Sequence, residues 1–281
     1  MLYHFLKAYV RIFIQLCYHS INVDKPNYLK AKDAVLIASN HPNSFLDAVI
    51  IDILFDIPVT SLARGDAFKN PKVYKILRSL HMLPVYRQRE GAEHLNSNYD
   101  TFDDCVKIFR QKEAVLIFSE GLCLNEWHLR PLMKGTARLA FKTWNEGVAL
   151  NVLPVGINYS SFTKFGKKVN IHIGSYIIKE SFDMGKSDGY NNLRFNEQLN
   201  HQLQQLVYEI APNDTTTIEA KFGTTSLFLK IILAPFALVG LVLHWPLYLL
   251  AQKVINKFFK GLNHDDSIML GVPMLVYPFY I

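Results

Sequence analysis

The residues best suited to chemistry are a histidine and a carboxylate held at one corner of the chain. An apolar run of strand type, residues 34–39, stops at Asn40, and His41 follows at once. Pro42, Asn43 and Ser44 are turn and cap residues. A second apolar segment, residues 45–55, carries Asp47 in its first turn. A neutral imidazole placed there can take the proton of a hydroxyl as its oxygen attacks a carbonyl, a contribution of roughly 10²–10⁴-fold. A carboxylate on the other ring nitrogen fixes the tautomer and supports the imidazolium that forms. His41 is therefore a candidate general base oriented by Asp47. Asp47 also reads as a helix cap, because Ser44-Phe45-Leu46-Asp47 has capping-box spacing with Asp in place of Glu or Gln. His41 by itself also reads as a loop histidine with no task.

The elements that must position this corner follow from periodicity. Strand-type runs at residues 57–63, 82–86, 114–118 and 152–159 alternate with helical patterns at 70–80, 101–111 and 135–144. That alternation predicts an α/β fold, a largely parallel mixed sheet flanked by helices. In such sheets active residues collect beyond the carboxyl ends of strands. His41, Arg87 and Glu120 each stand just past a strand end. Residues 169–178 read as a further strand, 183–192 as a polar loop, and 193–210 as a Gln- and Asn-rich covering helix.

Half of the 281 residues are hydrophobic, the net charge is +6 and the sequence pI is about 9.0. A basic, apolar chain points to anionic membrane lipids or a phosphorylated substrate. No nucleic-acid motif accompanies the charge. From Arg64 to Arg89 there are seven basic residues and one acid, Asp66, a run suited to a solvated helix face or to phosphate and lipid. Cys17, Cys105 and Cys123 form no C-x-x-C pair and read as reduced thiols. Walker, G-x-G-x-x-G, H-E-x-x-H and G-x-S-x-G patterns do not occur.

Three segments are expected: an amphipathic membrane-interface helix over 1–21, an α/β domain over 28–212, and a C-terminal hydrophobic membrane region over 227–281. In the first, Lys7 and Arg11 interrupt an i, i+3, i+4 apolar pattern, so the helix either lies in the interface or packs on the core. In the last, residues 231–251 are long enough to span a bilayer, and Trp245 and Tyr248 suit an interface. Pro235 and Pro246 suggest a kinked or re-entrant form. Lys253, Lys257 and Lys260 place the following end at the cytoplasmic face. Residues 268–281 read as the second limb of a hairpin cut short by the end of the sequence.

Four stretches carry a family resemblance. Asn-His-Pro-Asn-Ser-Phe-Leu-Asp (40–47), Leu83-Pro84-Val85-Tyr86-Arg87, Phe118-Ser119-Glu120-Gly121 and Leu153-Pro154-Val155 resemble, in order, the motif blocks of the glycerolipid acyltransferase family, over residues 34–160. That family acylates glycerol 3-phosphate, lysophosphatidic acid and related lysolipids in phospholipid biosynthesis. The resemblance implies direct transfer from an acyl thioester, acyl-CoA or acyl-carrier protein, with no acyl-enzyme, metal or other cofactor. It implies His41 as base and Asp47 as its partner, with Arg87, Glu120 and Gly121 binding the acceptor's glycerol phosphate. Five residues separate His41 from Asp47 where four are common, which suggests a subgroup. His81 stands where the second block often has Gly, and Leu122-Cys123 replace the usual Thr-Arg. Arg130, Lys134 or Arg138 could supply the missing phosphate charge, and Lys134-Gly135 precedes a helix N-terminus that can itself take an anion. The expected activity is acyl transfer to a phosphate-bearing glycerolipid. The alternatives are a non-phosphate lipid acceptor and a catalytically silent lipid-binding protein on the same fold. The sequence carries no signal of oligomeric state.

Overall fold

The apolar runs become strands buried on both faces. The computed structural model describes residues 2–86, 95–224, 226–259 and 264–280. Seven strands form one sheet: β1 (Ser20–Val23), β2 (Ala34–Ser39), β3 (Val59–Arg64), β4 (Met82–Val85), β5 (Ala114–Phe118), β6 (Leu150–Tyr159) and β7 (Lys168–Ile173). Their order is β1-β7-β6-β2-β5-β3-β4, and among these described strands only β6 and β7 pair antiparallel. Strand β2 lies at the centre between β5 and β6. All six of its residues are buried, which is why it reads as an unbroken apolar run instead of an alternating one.

Helices cover both faces. On one side α4 (Leu95–Arg110), α5 (Gly135–Asn145) and α6 (Asp188–Leu206) pack on Leu36, Ala38 and Val115. On the other, α1 (Leu2–Cys17), α2 (Phe45–Leu54) and α9 (Asp265–Tyr280) pack on Val35, Ile37 and Leu153. Between β3 and β4 lies α3 (Pro71–Ser79), capped by Asn70 and without a buried residue. His81, in the turn after it, has φ 55, the left-handed conformation that favours glycine. The Tyr3 ring packs against His81 there, with centroids 4.3 Å apart.

Several local expectations change. Residues 20–23, at the edge of an expected loop, form β1, because β7 offers a parallel partner. Helix α4 begins at Leu95 and α6 at Asp188, each several residues before the expected start. Ser187 caps α6 by accepting from the Tyr190 N–H. Asp214, read as part of a boundary, caps a further helix, α7 (Thr215–Phe222).

Helix α1 packs on the core along one side and leaves apolar residues exposed along another. Phe13 and Ile14 enter the core, while Phe5, Ile12 and Leu16 face outward. Its cations turn inward, against the simple amphipathic pattern. Lys7 Nζ donates to the Phe55 and Ile57 carbonyls at 2.9 and 3.3 Å, and Arg11 Nε donates to the Ile53 carbonyl at 2.9 Å. They satisfy the orphan carbonyls at the end of α2, where positive charge is favourable.

The C-terminal segment is a helical hairpin. Helix α8 (Leu227–Val254) runs without interruption through Pro235 and Pro246, so a re-entrant break is absent. Its length, about 42 Å at 1.5 Å per residue, exceeds a bilayer's hydrocarbon core. It is the one helix among the described residues long and apolar enough to cross a membrane. Helix α9 returns along it: the Tyr280 hydroxyl donates to the Leu243 carbonyl at 2.7 Å, and Tyr277 stacks on His244. On its other side α9 meets α1, where the Tyr9 hydroxyl donates to the Met274 carbonyl at 2.6 Å. Lys260, from the basic cluster after α8, lies outside the described residues.

One close approach fixes how α6 sits on the sheet. A Cβ on Gly156 would lie 2.5 Å from the Leu206 carbonyl oxygen. Asn158 holds that end of α6 in place, donating to Leu206 O at 2.9 Å and accepting from Tyr208 N at 2.7 Å. Gly156→Ala is expected to destabilise the fold by about 2–3 kcal/mol through overpacking, read as a lowered Tm in detergent micelles.

Candidate active site

The candidate catalytic corner is the loop of residues 40–44 between β2 and α2. His41 Nδ1 lies 2.8 Å from Asp47 Oδ2. The Asp47 side chain is fully buried and that of His41 is 19% exposed. A carboxylate only accepts, so His41 Nδ1 carries the proton and Nε2 keeps its lone pair. The imidazole stacks flat on Phe118, the last residue of β5, at 3.8 Å with 7° between the planes. Two orthogonal restraints therefore set the ring: a hydrogen bond at its edge and an aromatic face beneath it.

Asp47 has further partners. Its Oδ2 also accepts from the Asn43 N–H at 2.7 Å, and its Oδ1 accepts from the Tyr159 hydroxyl at 2.7 Å. Burial, then the Asp47 charge, pushes the Tyr159 phenol well up, so it stays a donor. The expected capping box does not form. Ser44 Oγ caps no helical N–H and instead lies 2.7 Å from His264 Nδ1. Within the five residues between His41 and Asp47, Ser44 has φ 52. Such a conformation persists only where the surroundings over-determine it.

The loop's remaining polar groups are almost fully spoken for. The Asn40 side chain clamps Ile157, donating to its carbonyl at 3.0 Å and accepting from its N–H at 2.8 Å. The His41 N–H donates to Glu120 Oε2 at 2.7 Å, and its carbonyl accepts from Leu124 N at 3.3 Å. Asn125 Nδ2 donates to Pro42 O at 2.8 Å. The Ser44 N–H meets Cys123 Sγ at 2.8 Å. Burial, then the Asp47 charge, pushes the Cys123 thiol up to about 12, so it is a neutral acceptor here and no nucleophile.

The other candidate residues separate into two groups. Glu120 is buried, and its second oxygen accepts from the Arg130 N–H at 2.8 Å. It therefore ties the histidine loop to the loop after β5. Burial raises its carboxyl, opposed by those two backbone N–H groups. Gly121, with φ +63, makes the turn that lets Glu120 point inward. Arg130 joins the site through its backbone, while its guanidinium pairs with Glu126. Lys134 and Arg138 are exposed at the start of α5, with no hydrogen bond to the corner among the described residues. Arg87 and Arg89 lie outside the described residues. The chain is held up to Tyr86, which exchanges two hydrogen bonds with the Asn98 side chain at 2.8 and 2.7 Å. Arg64, at the C-terminal end of β3, shares the sheet edge with His41 and pairs with Asp66.

Sequence reasoning read Asn43 only as a turn residue and assigned no role to Tyr159, Lys167, His264, Asp266 or Ser267. Asn43 lies inside the first motif block and Tyr159 four residues past the last. The other four carry no local pattern at all.

The acyltransferase family model matches residues 20–158. Residues 20–158 form an acyltransferase-family domain. The protein is an O-acyltransferase, and the matched region holds His41, Glu120 and Gly121 just past strand ends of one sheet and Asp47 in the first turn of α2. No curated protein matches the chain. The acyltransferase is similar in fold to the crystal structure of the 1-acyl-sn-glycerophosphate (LPA) acyltransferase PlsC from Thermotoga maritima. The TM-score is 0.51 at 14% identity, covering 73% of this chain and 79% of that one. Lys167, His264, Asp266 and Ser267 all lie beyond the matched family region.

Proposed function

We propose that this acyltransferase moves a fatty acyl chain from acyl-CoA or acyl-carrier protein to a hydroxyl of a glycerol-phosphate or lysophospholipid acceptor at the cytoplasmic face of a membrane. The observation that carries the reading is the His41–Asp47 pair at the carboxyl edge of β2, with no hydrogen-bond partner on Nε2 among the described residues. His41 Nε2 takes the acceptor's hydroxyl proton as the oxygen attacks the thioester carbonyl. The tetrahedral intermediate collapses, the carbon–sulfur bond breaks, and the imidazolium returns the proton to the leaving thiolate. Asp47 stabilises the imidazolium between these steps, and Tyr159 and Asn43 hold Asp47. Phosphate recognition falls to Arg87, to Arg64 at the carboxyl end of β3, and to Arg130 or Lys134 if their side chains turn inward on binding. Membrane association rests on α8, whose apolar side chains face outward along its length. The outward Phe5, Ile12 and Leu16 of α1 add to that surface.

One observation favours a second reading, a lipid acceptor without phosphate. Cys123 stands where the family motif has Arg, and its sulfur is committed to the Ser44 N–H. A single experiment separates the two. Membranes containing the protein are given labelled acyl thioester with glycerol 3-phosphate, lysophosphatidic acid or a hydroxylated lipid lacking phosphate. Label is expected in a phosphate-bearing product. Label confined to the phosphate-free acceptor establishes the second reading, and absence of thioester consumption with all three leaves a silent lipid-binding protein.

A further inference from the structure

The first turn of α9 grips the catalytic loop. His264 Nδ1 lies 2.7 Å from Ser44 Oγ. Asp266 Oδ2 accepts from Asn43 Nδ2 at 2.6 Å, and Ser267 Oγ donates to the Asn43 carbonyl at 3.1 Å. Asp266 is in turn paired with Lys167, from the turn between β6 and β7. The side chains of that pair are 3% and 9% exposed. Thus Asn43 and Ser44 are pinned by a helix more than 200 residues away in sequence.

A buried ion pair is poor evidence of stabilisation, because desolvating two charges offsets most of their attraction. Its placement matters more. Asp266 holds the side chain of Asn43, whose backbone N–H supports the same Asp47 oxygen that orients His41. His264 holds the side chain of Ser44, the residue with φ 52. Without these contacts the loop is free to relax, the Asn43 N–H leaves Asp47, and the imidazole loses its fixed direction. Helix α9 is also the second limb of the hairpin whose first limb is the apolar α8.

We propose that Asp266, supported by Lys167 and together with His264 and Ser267, is a positioning residue for acyl transfer, so that the α8–α9 hairpin is a working part of the active site. The proposal rests on His41 being the base.

The test compares two double variants of the full chain in lipid or detergent. Lys167→Met/Asp266→Leu and Lys167→Met/Asp266→Asn both remove the ion pair and nearly conserve shape. Only the second leaves an oxygen to accept from Asn43 Nδ2. A misplacement of about 1 Å costs on the order of 10²-fold in rate. The leucine variant is therefore expected to lose about 10–100-fold in kcat, with both substrates' KM within about twofold of the parent. The asparagine variant is expected to recover most of that loss at the same Tm. A purely structural pair would move Tm in both and separate neither in kcat. Equal kcat in the two folded variants overturns the proposal. Should the leucine variant not fold, Ser267→Ala removes the neighbouring hold of α9 on Asn43, at its carbonyl, without touching charge. A fall in its kcat at constant KM supports the proposal, and an unchanged kcat overturns it. His41→Ala is run in parallel. An inactive His41→Ala beside equal double variants refutes only the positioning role, whereas an active His41→Ala refutes the base itself.

Discussion

His41→Ala lowers kcat by roughly 10²–10⁴-fold, the worth of a positioned general base. The size follows from the site's division of labour. Among the described residues no second group near the corner is poised to replace the imidazole: the Glu120 oxygens are taken by backbone N–H groups, and the Cys123 thiol is held neutral by burial. His264 faces Ser44 through Nδ1, and burial lowers its affinity for a proton, with the Arg64 and His41 charges adding to the effect. The truncation leaves Phe118 without its stacking partner but opens little of the core, because the ring is partly exposed already. Tm should therefore move by only a few degrees, and the protein should remain in the membrane fraction. Initial rates with saturating thioester and acceptor check the claim. Turnover within tenfold of the parent would remove His41 from the chemistry.

Asp47→Asn has the second largest effect, a fall in kcat on the order of 10³-fold, in line with the cost of the same exchange in hydrolase triads, about 10⁴. The exchange keeps shape and removes one acceptor. With its oxygen toward Tyr159, the new amide group donates to His41 Nδ1. That forces the ring proton to Nε2, the wrong tautomer for a base, and sets the amide against the Asn43 N–H. With its oxygen toward His41, the tautomer is kept, but the charge that supports the imidazolium is gone. Either orientation slows transfer while acceptor and donor KM stay close to the parent values. The result also separates the two roles of Asp47. If Asp47 acted only as a helix cap, Asn would preserve function, since Asn and Asp cap about equally well. A variant with parental kcat would leave capping as its whole task.

The sequence was most informative where structure is local. The strand ending at Ser39, the helix opening at Phe45, and Asn70 capping α3 all follow from periodicity and cap chemistry. The left-handed turn at His81 has a family trace, since a glycine is common there. Other local readings went astray where a distant partner intervened. Ser44 has the spacing of a cap, yet His264 takes its hydroxyl and Cys123 its N–H. Lys7 and Arg11 look like the polar face of an interfacial helix, yet the carbonyls at the end of α2 draw them inward. Glu120 belongs to a substrate-binding block by resemblance, while its two oxygens bind the backbone of two loops.

The amino-acid sequence alone determined which chemistry is available, a histidine past a strand end with a carboxylate in the next helix, and the α/β frame that carries them. Periods of two and 3.6 residues, caps and turn residues act over a few positions, so they can be read from the chain itself. Only the tertiary structure decided that Asp47 reaches His41 across one extra residue, that Tyr159 and Phe118 fix the pair, and that α9 closes on Asn43 and Ser44. Those contacts join residues from 6 to 224 positions apart. Their physical basis is the need to satisfy every polar group of a buried loop, and which distant group does so depends on which elements the core packing brings together.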